Sequence, residues 1–237
     1  ALAGSIAASR LSANTESGVS IIKFTGNQTS GATLAHGLSS APEIVIIKKL
    51  GASGTSWVTG YSVGGESGFL GPMFLNSTAA KGGTDAGYFH STLPSASVIT
   101  LGNYGDSNGS TTMIAYAFHS VEGFSYASAY KGNGGSNNDG TFIYTGFRPA
   151  FVLIKNIDSV EGWNIWDSAR EPDNHMSKKL SPNDTTLEYT ANTTTYKIDF
   201  VSTGVKLRTS YSALNTNDDT YLIYAIAESA FKTANAR

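Results

Sequence analysis

The decapeptide FRPAFVLIKN, residues 147–156, sets a proline just ahead of an apolar run that closes on lysine. Proline has no N–H to give a ladder, so it belongs at a strand's entrance rather than its middle. A run of four apolar residues flanked by such a breaker reads as a central strand covered on both faces. The stretch SAPEIVIIKK at 40–49 repeats the plan, with Pro42 ahead of Ile44–Lys48. Working outward, the two halves align at a shift of about 106 residues. Phe24-Thr25-Gly26-Asn27 meets Tyr130-Lys131-Gly132-Asn133, and Trp57 meets Trp163. Ile99-Thr100-Leu101 meets Val205-Lys206-Leu207, and Ile114–Ala117 meets Leu222–Ala225. Landmarks that keep their order over such a span point to a tandem duplication.

Each half reads as strands. Tyr196, Ile198 and Phe200 alternate with Lys197 and Asp199, which predicts one apolar and one wet face. Ser202-Thr203-Gly204 then turns the chain into Val205–Arg208, a hairpin. Long polar loops such as GNGGSNNDG (132–140) separate short strands, a pattern that favours β-sandwiches. The expectation is an all-β protein made of two tandem, homologous, jelly-roll-like β-sandwich domains. Residues 1–16 would be a lead-in arm or extra strand, 17–124 the first sandwich and 125–237 the second, with the boundary near Gly123–Tyr126.

Composition agrees. Charged residues make up only 14% of the 237, Gly numbers 26, and Tyr (12) and Phe (11) supply most of the aromatic content. Gly, Asn, Asp and Ser satisfy turns while β-branched and aromatic residues fill a pleated surface. A net charge of −2 with scattered Lys and Arg leaves no basic footprint for nucleic acid. The apolar runs are too short to span a bilayer as helices. Cysteine is absent, so neither disulfides nor thiolate–metal sites hold the fold. The opening ALAGSIAASR reads as the cut edge of a longer polypeptide rather than a signal peptide.

Motifs with chemical meaning are few. Gly60-Tyr61-Ser62-Val63-Gly64 fits G-x-S-x-G, but Gly65-Glu66-Ser67-Gly68 follows where a nucleophile elbow needs a helix. Ser128-Ala129-Tyr130-Lys131 fits S-x-x-K without its companion motifs, in an apparent strand. Asn183-Asp184 and Asn217-Asp218-Asp219 offer oxygen ligands, yet not at EF-hand spacing, and they read as turn caps. Four isolated histidines make no zinc site. Neither a cofactor, a metal nor a catalytic residue is therefore expected. Acids gather at Asp158, Glu161, Asp167, Glu171 and Asp173, and two carboxylates at the right separation could cleave a glycosidic bond. Trp57 and Trp163, matched across the halves, are expected in the core. Trp166 and Arg170 have no counterparts in the first half. An unmatched Trp beside acids can stack on a sugar ring while carboxylates take its hydroxyl hydrogens, which makes Trp166, Asp167 and Arg170 the candidate glycan contacts.

The chain resembles a duplicated domain of uncharacterised function that ends large virion proteins of tailed phages of marine bacteria. The likeness is carried by GVSIIKFTGN (18–27), H-G-L-x-x-A-P (36–42), FLNSTAA (74–80), YTGFRPAFVLIK (144–155) and FKTANAR (231–237). It implies a non-enzymatic virion surface component, a tail-fibre or appendage domain contributing to host attachment. Its partners would be further copies of itself (a trimer, by analogy with phage fibres), neighbouring virion proteins and a host cell-surface glycan. The other readings are a capsid decoration protein and a polysaccharide-degrading tailspike module using the acids at 158–173.

Overall fold

The computed structural model describes residues 3–136, 139–189 and 195–230. Antiparallel strands dominate, and the chain divides into two compact units. Unit 1 comprises residues 1–76 and 81–120, and unit 2 comprises 77–80 and 121–237.

In unit 1 the strands are β1 (Ala8–Asn14), β2 (Val19–Thr25), β3 (Ala32–Ala35), β4 (Ile44–Lys49), β5 (Trp57–Val63), β6 (Glu66–Ser67) and β7 (Met73–Phe74). A short helix α1 (Ala86–Phe89), strand β8 (Val98–Leu101), helix α2 (Gly105–Asn108) and strand β9 (Thr112–Phe118) complete it. The large sheet runs β1-β2-β9-β4-β5-β6, with β7 also on β5, and β3 pairs with β8. Alternation in β2 turns Ile22 and Phe24 inward, and in β9 Met113, Ala115 and Ala117. They meet Leu34, Ile99 and Leu101 from the β3–β8 pair in one buried cluster. Residues of both sheets thus close a single core, in a sandwich-like arrangement.

Unit 2 contains β10 (Ser125–Lys131), β11 (Phe142–Tyr144), β12 (Pro149–Asn156), β13 (Asn164–Asp167), β14 (Ile198–Val201), β15 (Gly204–Leu207), helix α3 (Ser212–Asn215) and β16 (Thr220–Ala227). One sheet runs β10-β16-β12-β13 and a smaller one β11-β15-β14. Val152 and Ile154 of β12, Ile223 and Ala225 of β16, and Phe200, Val205 and Leu207 of the small sheet form its core. FVLI lies in β12, which begins at Pro149 and is flanked by β13 and β16.

The same local device recurs in each unit. Asn108, at the end of α2, is fully buried and donates from Nδ2 to Gly102 O (2.8 Å) and Thr29 O (3.1 Å), while its Oδ1 accepts from the Asn27 N–H (2.9 Å). Asn215, at the end of α3, donates to Thr209 O (2.9 Å) and Asn133 Oδ1 (2.9 Å) and accepts from the Asn133 N–H (3.0 Å). In each unit a buried amide at a helix end thus satisfies polar groups of the loops that pass it.

The 198–208 hairpin departs from the expected pattern on one face. Ile198 and Phe200 point inward, but Asp199 is also buried. Arg208 Nε lies 2.6 Å from its carboxylate and His175 Nδ1 contacts the other oxygen. These two side chains fold over the outer face, which alternation alone assigned to water. Among the described residues no helix is long and apolar enough to cross a membrane.

Candidate functional site

The sequence singled out Trp166, Asp167 and Arg170, and the structure separates them. In β13, Asn164 and Trp166 are buried while Ile165 and Asp167 face the other way. Trp166 is 0% exposed and packs in the unit 2 core, so its ring is out of reach of a sugar at the surface. The expected stacking role falls on this geometry. Asp167 and Arg170 remain partly exposed and ion-paired with each other. Arg170 Nη1 also reaches Glu188 Oε2 at 2.5 Å, so one guanidinium ties the end of β13 to a loop 18 residues on. Burial raises the Asp167 pKa, but the hydrogen bonds and charge of Arg170 outweigh it and hold the carboxyl below its usual range.

That tie leads to a groove. Ile165 exchanges backbone hydrogen bonds with Leu180 (2.9 and 3.0 Å), and the Tyr189 N–H donates to Lys179 O (3.0 Å). Two further segments are thereby laid beside β13. Between them and Tyr196 lies an open groove of about 430 Å³, lined by Lys179, Asp184, Leu187, Glu188, Tyr189 and Tyr196 among others. Tyr189 and Tyr196 meet edge to face with centroids 4.8 Å apart, and Tyr196 meets Tyr211 the same way at 4.9 Å. Lys179 Nζ stands 4.2 Å over the Tyr196 ring and donates to Ser181 Oγ at 2.7 Å. Burial lowers the lysine's pKa against the pull of Asp184 and Glu161. Burial, and then the Tyr211 hydroxyl, raise that of Tyr196. Leu187, 92% exposed, sits at the lip. Aromatic walls with a few fixed polar groups suit a hydroxyl-rich ligand that offers C–H faces and hydrogen-bond partners.

Three further acids secure loops. Asp158 accepts from the Thr220 N–H (2.8 Å), and Glu171 Oε2 accepts from the N–H groups of Ser177 (2.6 Å) and Lys178 (2.7 Å). Asp184 takes both the hydroxyl and the N–H of Thr186, which holds its pKa down. Asn183 Oδ1 accepts from the Trp163 N–H at 2.7 Å. Among the described residues no three His, Cys, Asp or Glu side chains gather where a metal ion could sit. Ser62 lies within β5, which turns through Gly64-Gly65 into β6 instead of entering a helix. Ser128 and Lys131 lie in β10. Trp163 is fully buried, whereas Trp57 is half-buried with Lys48 Nζ 5.7 Å from its ring centre.

Residues 2–230 match the family described as a domain of unknown function (DUF7483). The chain belongs to that family. No curated protein and no solved structure matches it.

Sequence reading missed Lys179, Glu188, Tyr189 and Tyr196 as site residues. Alternation places Tyr196 in a strand, and nothing local joins it to Lys179. One signal was available: four of the chain's 12 tyrosines (Tyr189, Tyr196, Tyr211, Tyr221) fall within 33 residues.

Proposed function

We propose that this protein is a non-enzymatic structural component of a phage virion, a tail-fibre or appendage domain that helps attach the particle to its host. Its attachment surface in this reading is the unit 2 groove, and the ligand class is a cell-surface glycan. The observation that carries the proposal is the pairing of Tyr189 and Tyr196 in an open groove beside Lys179 and the Arg170-held carboxylates. Support for the virion setting comes from the sequence motifs quoted above. Binding is favoured over glycan cleavage because Asp158, Asp167, Glu171 and Asp184 are each engaged by an arginine, a hydroxyl or backbone N–H groups. In a cysteine-free fibre, repeated copies would raise weak contacts to useful avidity, and we propose a homo-oligomer.

We further infer that units 1 and 2 descend from one duplicated sandwich domain. The order β2-β9-β4-β5 parallels β10-β16-β12-β13, and the Asn27–Asn108 contact parallels Asn133–Asn215.

The test is adsorption of the purified protein to host envelope glycans. Tyr189→Ala is expected to weaken it by about two- to tenfold, since an aromatic contact is worth roughly 0.5–1.5 kcal/mol, and to leave the melting temperature nearly unchanged. Adsorption equal to wild type, or release of soluble oligosaccharide on incubation, would overturn the reading. Density at the capsid rather than the tail in a map of the intact particle would replace the fibre by a decoration protein.

A further inference from the structure

The small sheets of the two units end differently. In unit 1 the outer edge of β3 is covered: Ile6 bridges Leu34 in parallel, with the Ile6 N–H donating to Thr33 O at 2.9 Å. Ser5 adds a reciprocal pair, N–H to Thr33 Oγ1 (3.0 Å) and Oγ from the Thr33 N–H (2.9 Å). The residue before it must be small, because a Cβ on Gly4 would lie 2.9 Å from Thr33 O, and its φ of +114° favours glycine.

Strand β11 holds the corresponding edge place in the β11-β15-β14 sheet of unit 2. Its inner side is fixed by Leu207 N–H to Thr141 O and Thr145 N–H to Thr203 O, both 3.0 Å. Backbone alternation then aims the N–H and C=O groups of Phe142 and Tyr144 outward. Among the described residues nothing pairs with that edge. Both side chains are exposed, Phe142 by 47% and Tyr144 by 64%, while Ile143 between them is buried. The strand is short, three residues, but it carries no charge, no proline and no bulge, which are other devices by which sheet edges avoid pairing.

We propose that β11 is an assembly edge, at which a second copy of this chain adds its own β11 in antiparallel register about a two-fold axis. The sequence is self-complementary in this register. Ile143 sits on the axis, Phe142 faces the second copy's Tyr144, and the outward N–H and C=O groups of each meet those of the other. The aromatic pairs lie on one face, where such cross-strand contacts stabilise a sheet. The flanking Thr141 and Thr145 are uncharged, so the two-fold brings no like charges opposite each other within the strand. At the β3 edge a single bridge residue, Ile6, already adds to the matching sheet position; a short, neutral, aromatic edge selects its own copy. This contact would give the proposed homo-oligomer one of its joints, and it does not depend on the groove binding glycan.

The test is sedimentation equilibrium of the chain at concentrations rising to about 1 mM, because an interface this small associates weakly. Wild type is expected to pass from its monomer mass of 24.9 kDa toward twice that value. Tyr144→Pro removes an outward N–H without touching the β15 ladder, and Phe142→Lys with Tyr144→Lys opposes like charges across the axis. Each should lower the association constant by about tenfold or more, with circular dichroism and melting temperature as folding controls. In this cysteine-free chain, Phe142→Cys with Tyr144→Cys should give a disulfide-linked dimer on mild oxidation, and neither single variant should do so by in-register pairing. Wild type that stays monomeric, association unmoved in a folded variant, or failure of the double-cysteine chain to crosslink would each overturn the proposal.

Discussion

Replacing Asn215 by Ala removes a side chain that joins three stretches of unit 2. Its Nδ2 donates to Thr209 O and Asn133 Oδ1, and its Oδ1 accepts from the Asn133 N–H and, at 3.1 Å, from Thr141 Oγ1. The residue is fully buried, so water does not simply replace it. Truncation leaves the Asn133 N–H and the Thr209 carbonyl without this partner, and each orphaned buried group costs about 1–3 kcal/mol. Asn133 is exposed, so water can take over its N–H, and the sum rests mainly on the buried Thr209 carbonyl and the lost amide contacts, at about 2–3 kcal/mol. That is a large share of the roughly 5–15 kcal/mol by which a domain is stable. Asn215→Asp should be worse than Ala, because an anion would then face Asn133 Oδ1 and Thr209 O. Urea denaturation followed by tryptophan fluorescence is a suitable assay, since Trp163 and Trp166 lie in this unit. A loss below about 1 kcal/mol for Asn215→Ala, or an Asp variant more stable than the Ala variant, would refute the argument that the buried amide network holds the unit.

Trp166→Ala should cost about 3–5 kcal/mol as a core deletion, whereas Arg170→Ala should cost about 1 kcal/mol or less because its ion pairs are partly exposed; chemical denaturation of both tests the inward placement of β13. His36 is buried and neutral in the fold, with Nδ1 accepting from the Leu38 N–H (3.1 Å) and Nε2 facing Ser95 O (3.2 Å). Burial lowers its pKa despite the Ser95 carbonyl, with His119 adding to the fall. Its contribution to stability is whole above the unfolded value near 6.5 and declines as pH falls through the lower folded value; unfolding at stepped pH should reveal the slope, and His36→Asn should flatten it. Lys155 is buried with its ammonium against the carbonyls of Asn156 (2.5 Å) and Thr78 (3.4 Å), and burial lowers its pKa to about 8, only partly offset by Glu161. The unfolded chain therefore holds this proton more tightly, and stability should rise as pH climbs from about 8 toward the unfolded value near 10.5. Lys155→Met should remove that rise in the same titration.

Much of the β content was legible because its causes are local. Proline at a strand entrance, alternation in KIDF and VKLR, and glycine-rich turns each constrain a few neighbouring residues. The groove was not legible in the same way. Tyr196, Lys179 and Glu188 belong to three separate loop segments whose meeting depends on Arg170 reaching Glu188 and on Ile165 pairing with Leu180. Such long-range contacts leave no period in the sequence.

The sequence by itself determined the class of secondary structure and many inward positions, for alternation is a property of the strand's own backbone. Only the tertiary structure decided which way β13 faces. Asn164 with Trp166 and Ile165 with Asp167 are each one apolar and one polar residue, so period two offers no preference between the sides. Packing against Val152 and Ile154 of the neighbouring strand and the rest of the unit 2 core turned Trp166 inward. The same choice left Asp167 outside to hold Arg170, and with it the wall of the groove.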